Sequence, residues 1–207
     1  MGRTFKRHGE RIRASFTPVE ERLLRSAREQ LRDALTEDDP ADPVIERLYP
    51  STVLGDAEAD HELRGLLKDD LLTVRLAGLD ALVAVLDRGT HHRHGLRVEL
   101  RDDEPLLVLG VLNDLRLAIG ARLGIERIDR DAIDPEDPLA YRIAVMDHLA
   151  WWQEELLAIV DPAAVAWMQT ADLADLEPEE LDPDDAAAPP SAAPDPDGDA
   201  AGPDPEA

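Results

Sequence analysis

One stretch decides the fold: Pro105-Leu-Leu-Val-Leu-Gly-Val-Leu-Asn113-Asp114-Leu-Arg116-Leu-Ala-Ile-Gly120. It has the length of a helix, and at about 100° per residue its apolar side chains surround the axis. A helix that is apolar on nearly every side is buried, so this segment is predicted to be the central strut of a helical domain. Asn113, Asp114 and Arg116 interrupt it, and as buried polar groups they require partners.

Asn113, Asp114 and Arg116, joined by His148 from a later helix, form the sharpest candidate for a buried site. In a packed interior they could bind a small anion through Arg116, which makes a small-ligand-binding protein or an enzyme one functional hypothesis. The alternative, which we favour, is a structural polar cluster, or an Arg116 whose guanidinium reaches the surface.

Helix start signals divide the rest of the chain. Thr17-Pro18-Val-Glu20 combines an N-cap, a proline at the first helical position and the glutamate of a capping box. Asp137-Pro138 and Asp161-Pro162 are similar starts. A further helical pattern covers residues 61–86 and could break near Lys68; its predicted buried face contains Leu72, Val74, Leu76, Leu79, Leu82, Val83 and Leu86.

Alternation of apolar and polar residues indicates three strands. Residues 3–16 are predicted to form a hairpin around His8-Gly9, and residues 96–100 a strand beside it. The predicted fold is therefore mainly α, with about five helices and a small antiparallel sheet. His91, His92 and His94 are predicted to lie in a solvated loop, and no metal or other cofactor is expected.

Charge is unevenly distributed along the chain. The net charge is −24, yet residues 1–35 hold nine Lys/Arg against five Asp/Glu. A basic face that suits a phosphate backbone would combine a strand set and a helix stripe: Arg3, Lys6, Arg7, Arg11, Arg13, Arg25, Arg28 and Arg32. Direct DNA binding by this face is a further hypothesis, although we favour a solvated face in which Glu21 and Glu29 pair with Arg25.

Composition limits the class of protein. The 207 residues contain no cysteine, which excludes disulfides, zinc–thiolate sites and thiol catalysis. No membrane segment and no signal peptide are predicted, so a cytoplasmic location is expected.

Residues 1–176 are predicted to form one domain, and residues 177–207 a disordered tail, because that tail holds eleven acidic residues, eight prolines and no basic residue.

Trp151 is a candidate anchor for a protein partner. On the predicted helix from Pro138, Trp152 falls on the apolar side, whereas Trp151 falls among Asp147 and Glu154. An exposed tryptophan is a frequent binding hot spot, but the following helix could equally cover it.

No catalytic motif was found, and no catalytic residue is expected. At residues 113–120 the sequence resembles an actinobacterial family known as domain of unknown function 2017. The resemblance extends over residues 3–160, through Ser15-Phe16-Thr17-Pro18, the Leu-rich helix of residues 64–86 and Leu149-x-x-Trp152-Gln-Glu.

Some members of this family are described as oxidative-stress transcriptional regulators that respond through a cysteine pair and act with a sigma factor. A chain without cysteine cannot operate that redox switch. The resemblance therefore implies a non-enzymatic regulatory protein with a protein partner, such as a sigma factor or other transcription machinery. This is the leading hypothesis; the oligomeric state stays open.

Overall fold

The computed structural model describes residues 3–51 and 55–170; the predicted tail and the last six residues of the predicted domain lie outside this part of the chain. The four strands within these residues are β1 (Phe5–His8), β2 (Arg11–Phe16), β3 (Thr90–His92) and β4 (Gly95–Leu100). The helices of this described part are α1 (Pro18–Glu37), α2 (Pro43–Leu48), α3 (Ala57–Asp87), α4 (Glu104–Leu123), α5 (Pro138–Val160) and α6 (Pro162–Thr170). Two short 3-10 helices, Ile125–Arg127 and Arg130–Ala132, connect α4 to α5.

The strands form one antiparallel sheet in the order β1-β2-β4-β3. The predicted hairpin and third strand are confirmed, but β3 was missed, and His91 and His92 lie in it instead of in a loop. Gly95 makes this second hairpin possible, because a Cβ at this position would come within 2.0 Å of the Phe16 carbonyl oxygen. Its φ of 131° also favours glycine.

Alternation along the strands separates an inner from an outer sheet face. The inner side chains are buried and belong to the hydrophobic core: Phe5, Ile12, Ala14, Phe16, Leu96, Val98 and Leu100. Trp152 on α5 closes this core, with its ring 5.3 Å from that of Phe16 and its Nε1 donating to the Thr4 hydroxyl at 3.1 Å. The helices thus cover one face of the sheet.

The capping box predicted for α1 is confirmed. The Thr17 hydroxyl accepts from the Glu20 backbone N–H, and the Glu20 carboxylate accepts from the Thr17 backbone N–H at 2.6 Å. α3 is continuous through Lys68, contrary to the predicted break, and its side chain at position 74 is 64% exposed. The assignment of Val74 to the buried face was therefore wrong.

α4 is the central helix of the domain and packs against α2, α3 and α5. Its buried residues include Val108, Val111, Leu112, Leu115 and Ala118. However, Leu106 is 61% exposed, and the three polar residues are only half-buried. The strut was correctly predicted, but one side of it reaches the surface.

Candidate functional site

Asp114 lies at a contact between α4 and α3. Its carboxylate is 3.5 Å from the Nε of Arg75 on α3, and each side chain is only 17% exposed. Arg75 also donates to the Leu48 carbonyl at 3.1 Å, and its guanidinium carbon lies 5.1 Å from the centre of the Tyr49 ring. Asp114 therefore connects α4 with α3 and the end of α2.

Burial dominates the electrostatics of this ion pair. Desolvation raises the pKa of Asp114 above that of an ordinary aspartate, although the charge of Arg75 acts in the opposite direction. The Nε of Arg75 makes no hydrogen bond within the described part of the chain. The pair thus only partly offsets the cost of burying its charges, and its role is to join helices.

Arg116 faces a different part of the molecule. It lines a cleft of about 680 Å³ between α2, the C-terminal half of α4, the first 3-10 helix and α5. This volume is in the range of small-molecule sites. Met146 and Asp147 line the opposite wall on α5, and Asp147 is already bound by Arg130 at 2.6 Å.

His148 lies away from that cleft. Its Nε2 is 3.0 Å from the carboxylate of Glu20 at the start of α1, and its ring centre is 4.5 Å from that of Trp152. Asp114 pairs with α3, Arg116 lines the cleft and His148 contacts α1, while Asn113 is half-buried. The prediction that these four side chains could meet in one site is therefore wrong, because Asp114, Arg116 and His148 each face a different neighbour.

Trp151 is half-buried and packs against the core. Its ring centre lies 5.5 Å from that of His148, one turn earlier on the same helix. The structure thus places Trp151 between the two predicted extremes of an exposed anchor and a covered core residue.

The three arginines predicted to form a basic stripe on α1, Arg25, Arg28 and Arg32, are paired with acids of α3. Asp80 binds both Arg28, at 2.7 Å, and Arg32, at 3.0 Å. Arg25 binds Asp87 at 2.7 Å and Glu21 at 3.1 Å. This confirms the predicted pairing with Glu21, whereas the acid that replaces the predicted Glu29 is Asp87 of α3. The predicted basic stripe on this helix is consequently neutralised from within the fold.

The basic residues of the hairpin remain more accessible. Arg11 and Arg13 share one acid, Glu99 on β4, at 3.2 and 3.3 Å. Arg3 and Lys6 are exposed. The guanidinium of Arg7 donates to the backbone carbonyl of Ile159 at the end of α5. The predicted basic face thus divides into a neutralised helix part and an open strand part.

The histidines next to this sheet do not assemble a metal site. His91 binds the Glu21 carboxylate at 3.0 Å, while His92 is exposed on the edge strand and His94 in the following turn. Among the described residues no group of three metal-ligating side chains was found. Nor, within that part of the chain, is any helix long and apolar enough to cross a membrane.

The N-terminal half of α3 carries an apolar surface that the sequence analysis missed. Five exposed side chains at helical spacing form this leucine face: Leu63, Leu66, Leu67, Leu71 and Val74. The opposite side of α3 is attached to the domain by the Lys68–Asp38 ion pair and by Arg75. The sequence does contain a signal for this face. The segment of residues 61–86 has more apolar side chains than one buried side of a helix needs, and Leu72, Leu76 and Leu79 already lie on the side that packs against the core.

Within the part of the chain that the structure describes, the architecture is a helical domain with a small sheet that helices cover on one face only, and with separate apolar and basic surfaces. The family described as Domain of unknown function (DUF2017) matches residues 2–160. The chain belongs to this family, as its resemblance indicated. The comparison with curated proteins and that with solved structures gave no match.

Proposed function

We propose that the protein is a non-enzymatic, cytoplasmic regulatory protein that acts by binding a protein partner through the leucine face of α3. The observation that carries the proposal is the exposure of five neighbouring apolar side chains, with Leu66 at 69% and Val74 at 64%. Contiguous exposed apolar patches on a folded domain mark interaction sites. The role in transcription or stress regulation that the family resemblance implies fits this mode of action.

The geometry of the leucine face suits a helical partner. Side chains at positions 63, 67, 71 and 74 follow the spacing of three or four residues that places them on one side of a helix. A second amphipathic helix can lay its apolar ridge along such a row, as in helix-in-groove recognition. The ion pairs on the other side of α3 keep the row in place before the partner binds.

Acidic residues flank the leucine face and indicate the chemistry of the partner. Glu62, Asp69 and Asp70 are exposed on the same half of α3. A second copy of this chain would bring like charges together, which is unfavourable. The partner is therefore a different protein, with an apolar helix flanked by basic residues.

The dispersal of the polar candidates supports a non-enzymatic role. Asp114, Arg116 and His148 each face a different neighbour, so they offer no common point at which a substrate could react. The cleft at Arg116 is the feature that favours the second candidate function, small-ligand binding.

A photo-crosslinking residue at position 66 tests the proposed contact. The expected result is a crosslink to one or a few proteins, which are then purified and titrated against the wild-type chain and the Leu66→Glu/Val74→Glu variant. The variant should bind at least about tenfold more weakly, because one buried leucine contributes about 1.5–3 kcal/mol.

The matched control is position 106, where an equally exposed leucine lies on α4 outside the leucine face. A crosslinker at this position should not capture the same protein, and Leu106→Glu should leave the affinity unchanged. Equal binding by the double variant would contradict the proposed site, and a crosslink from one copy of the chain to another would contradict the choice of partner.

A further inference from the structure

The outer face of the sheet concentrates positive charge on an acidic protein. The pairings Lys6↔Arg13, Arg13↔Glu99, Ser15↔Arg97 and Thr90↔Arg97 place side chains from all four strands on one side. We call this set the outer sheet face: Lys6, His8, Arg11, Arg13, Ser15, Thr90, His92, Arg97 and Glu99. Its only carboxylate is that of Glu99.

The segregation of charge is large. Residues 3–16 and 90–101 hold eight Lys/Arg against two Asp/Glu, a net charge of +6. Because the net charge of the whole chain is −24, all other residues together carry −30. At physiological salt, charges more than about 8 Å apart are largely screened. An anion that approaches these strands therefore senses mainly their positive charge, and the outer sheet face itself contributes four Lys/Arg against Glu99.

We propose that the outer sheet face binds the phosphate backbone of double-stranded nucleic acid without reading its sequence. Lys6 and Arg97 are exposed and have no ion-pair partner among the described residues, and Arg11 and Arg13 share a single partially exposed acid. These four side chains provide up to four phosphate contacts.

The residue types favour a phosphate backbone over an acidic protein segment. Phosphate contacts are made by arginine, lysine and small hydroxyl side chains, and Ser15 and Thr90 add hydroxyls to the basic set. The cores of protein interfaces are instead depleted of charge and enriched in aromatic residues. None of the outward side chains of the four described strands is a Phe, Tyr or Trp, so the stacking that single strands need is missing.

The affinity of the 207-residue chain for a labelled duplex of about 20 base pairs, measured between about 50 and 200 mM salt, tests the proposal. Four phosphate contacts predict a slope of log K against log salt near −3.6, or about 150-fold weaker binding over this range. The Lys6→Ala/Arg97→Ala variant should reduce the slope by about two. Glu99→Gln should strengthen binding, because it releases Arg11 and Arg13.

The matched control is Arg28→Ala/Arg32→Ala, which removes two arginines that are held by Asp80 in the contact between α1 and α3, away from the outer sheet face, and should leave the slope unchanged. Equal slopes for the wild-type chain and Lys6→Ala/Arg97→Ala would overturn the proposal. Tighter binding of polyglutamate or of a single strand than of the duplex would also overturn it. Leu66→Glu/Val74→Glu should bind the duplex normally, which separates this inference from the proposed protein contact.

Discussion

Two groups of arginines, close in sequence, meet opposite environments. Arg25, Arg28 and Arg32 on α1 each bind an aspartate of α3, 48 to 62 residues further along the chain. Arg11 and Arg13 on β2 face outward and share Glu99 alone. The helix group thus stabilises the fold, while the strand group stays available to a ligand. The three helix arginines meet three acids, Glu21, Asp80 and Asp87, whereas the two strand arginines share one. Among the described residues, an excess of basic side chains therefore stays available where neighbouring elements supply fewer acids than there are arginines.

The largest expected effect on stability comes from Phe16, on the inner face of β2. Phe16 is buried between Phe5 and Trp152, so Phe16→Ala should lower the free energy of unfolding by about 3–5 kcal/mol. Its neighbour Ser15 faces outward, and Ser15→Ala should change stability by less than about 0.5 kcal/mol. Urea denaturation of both variants measures this contrast. Similar losses for the two would refute the separation of inner and outer faces.

Much of the fold was predictable because its signals are local. The Thr17 cap and the alternation of Ile12, Ala14 and Phe16 depend on neighbouring residues, and both predictions are confirmed. The edge strand β3 was missed because its exposed His91 and His92 resemble a loop, and its pairing depends on Gly95 fitting against Phe16.

The candidate site was less predictable, because side-chain partners come from distant parts of the chain. Nothing near Asp114 in the sequence indicates Arg75, and nothing near Arg28 indicates Asp80. The leucine face was hidden for a related reason: the pattern of α3 does not reveal which of its two apolar sides the domain covers.

A smaller effect on stability is expected at Asp114. Its partner Arg75 is more buried than the strand arginines, which extends the comparison of arginine environments to the interior. Burial raises the pKa of Asp114 above that of the unfolded chain, so the folded state holds the proton more tightly. Its contribution to stability is therefore fully present below the unfolded pKa of about 3.9 and is lost as the pH rises through the folded pKa.

Urea denaturation of the wild-type chain and Asp114→Asn at about pH 4 and pH 7 checks this direction. Because asparagine does not titrate, the variant should gain stability relative to the wild type as the pH rises. A relative loss would mean instead that the charge of Arg75 outweighs burial.

The comparison of the paired helix arginines with the open basic residues of the sheet is tested most directly by the free energies of unfolding of two double variants. Arg28→Ala/Arg32→Ala should cost about 1 kcal/mol, because it leaves Asp80 without partners and Arg28 is only 16% exposed. Lys6→Ala/Arg97→Ala should change stability by less than about 0.5 kcal/mol. Equal losses, or a larger loss for the sheet variant, would contradict the account that one group holds the fold and the other is free to bind.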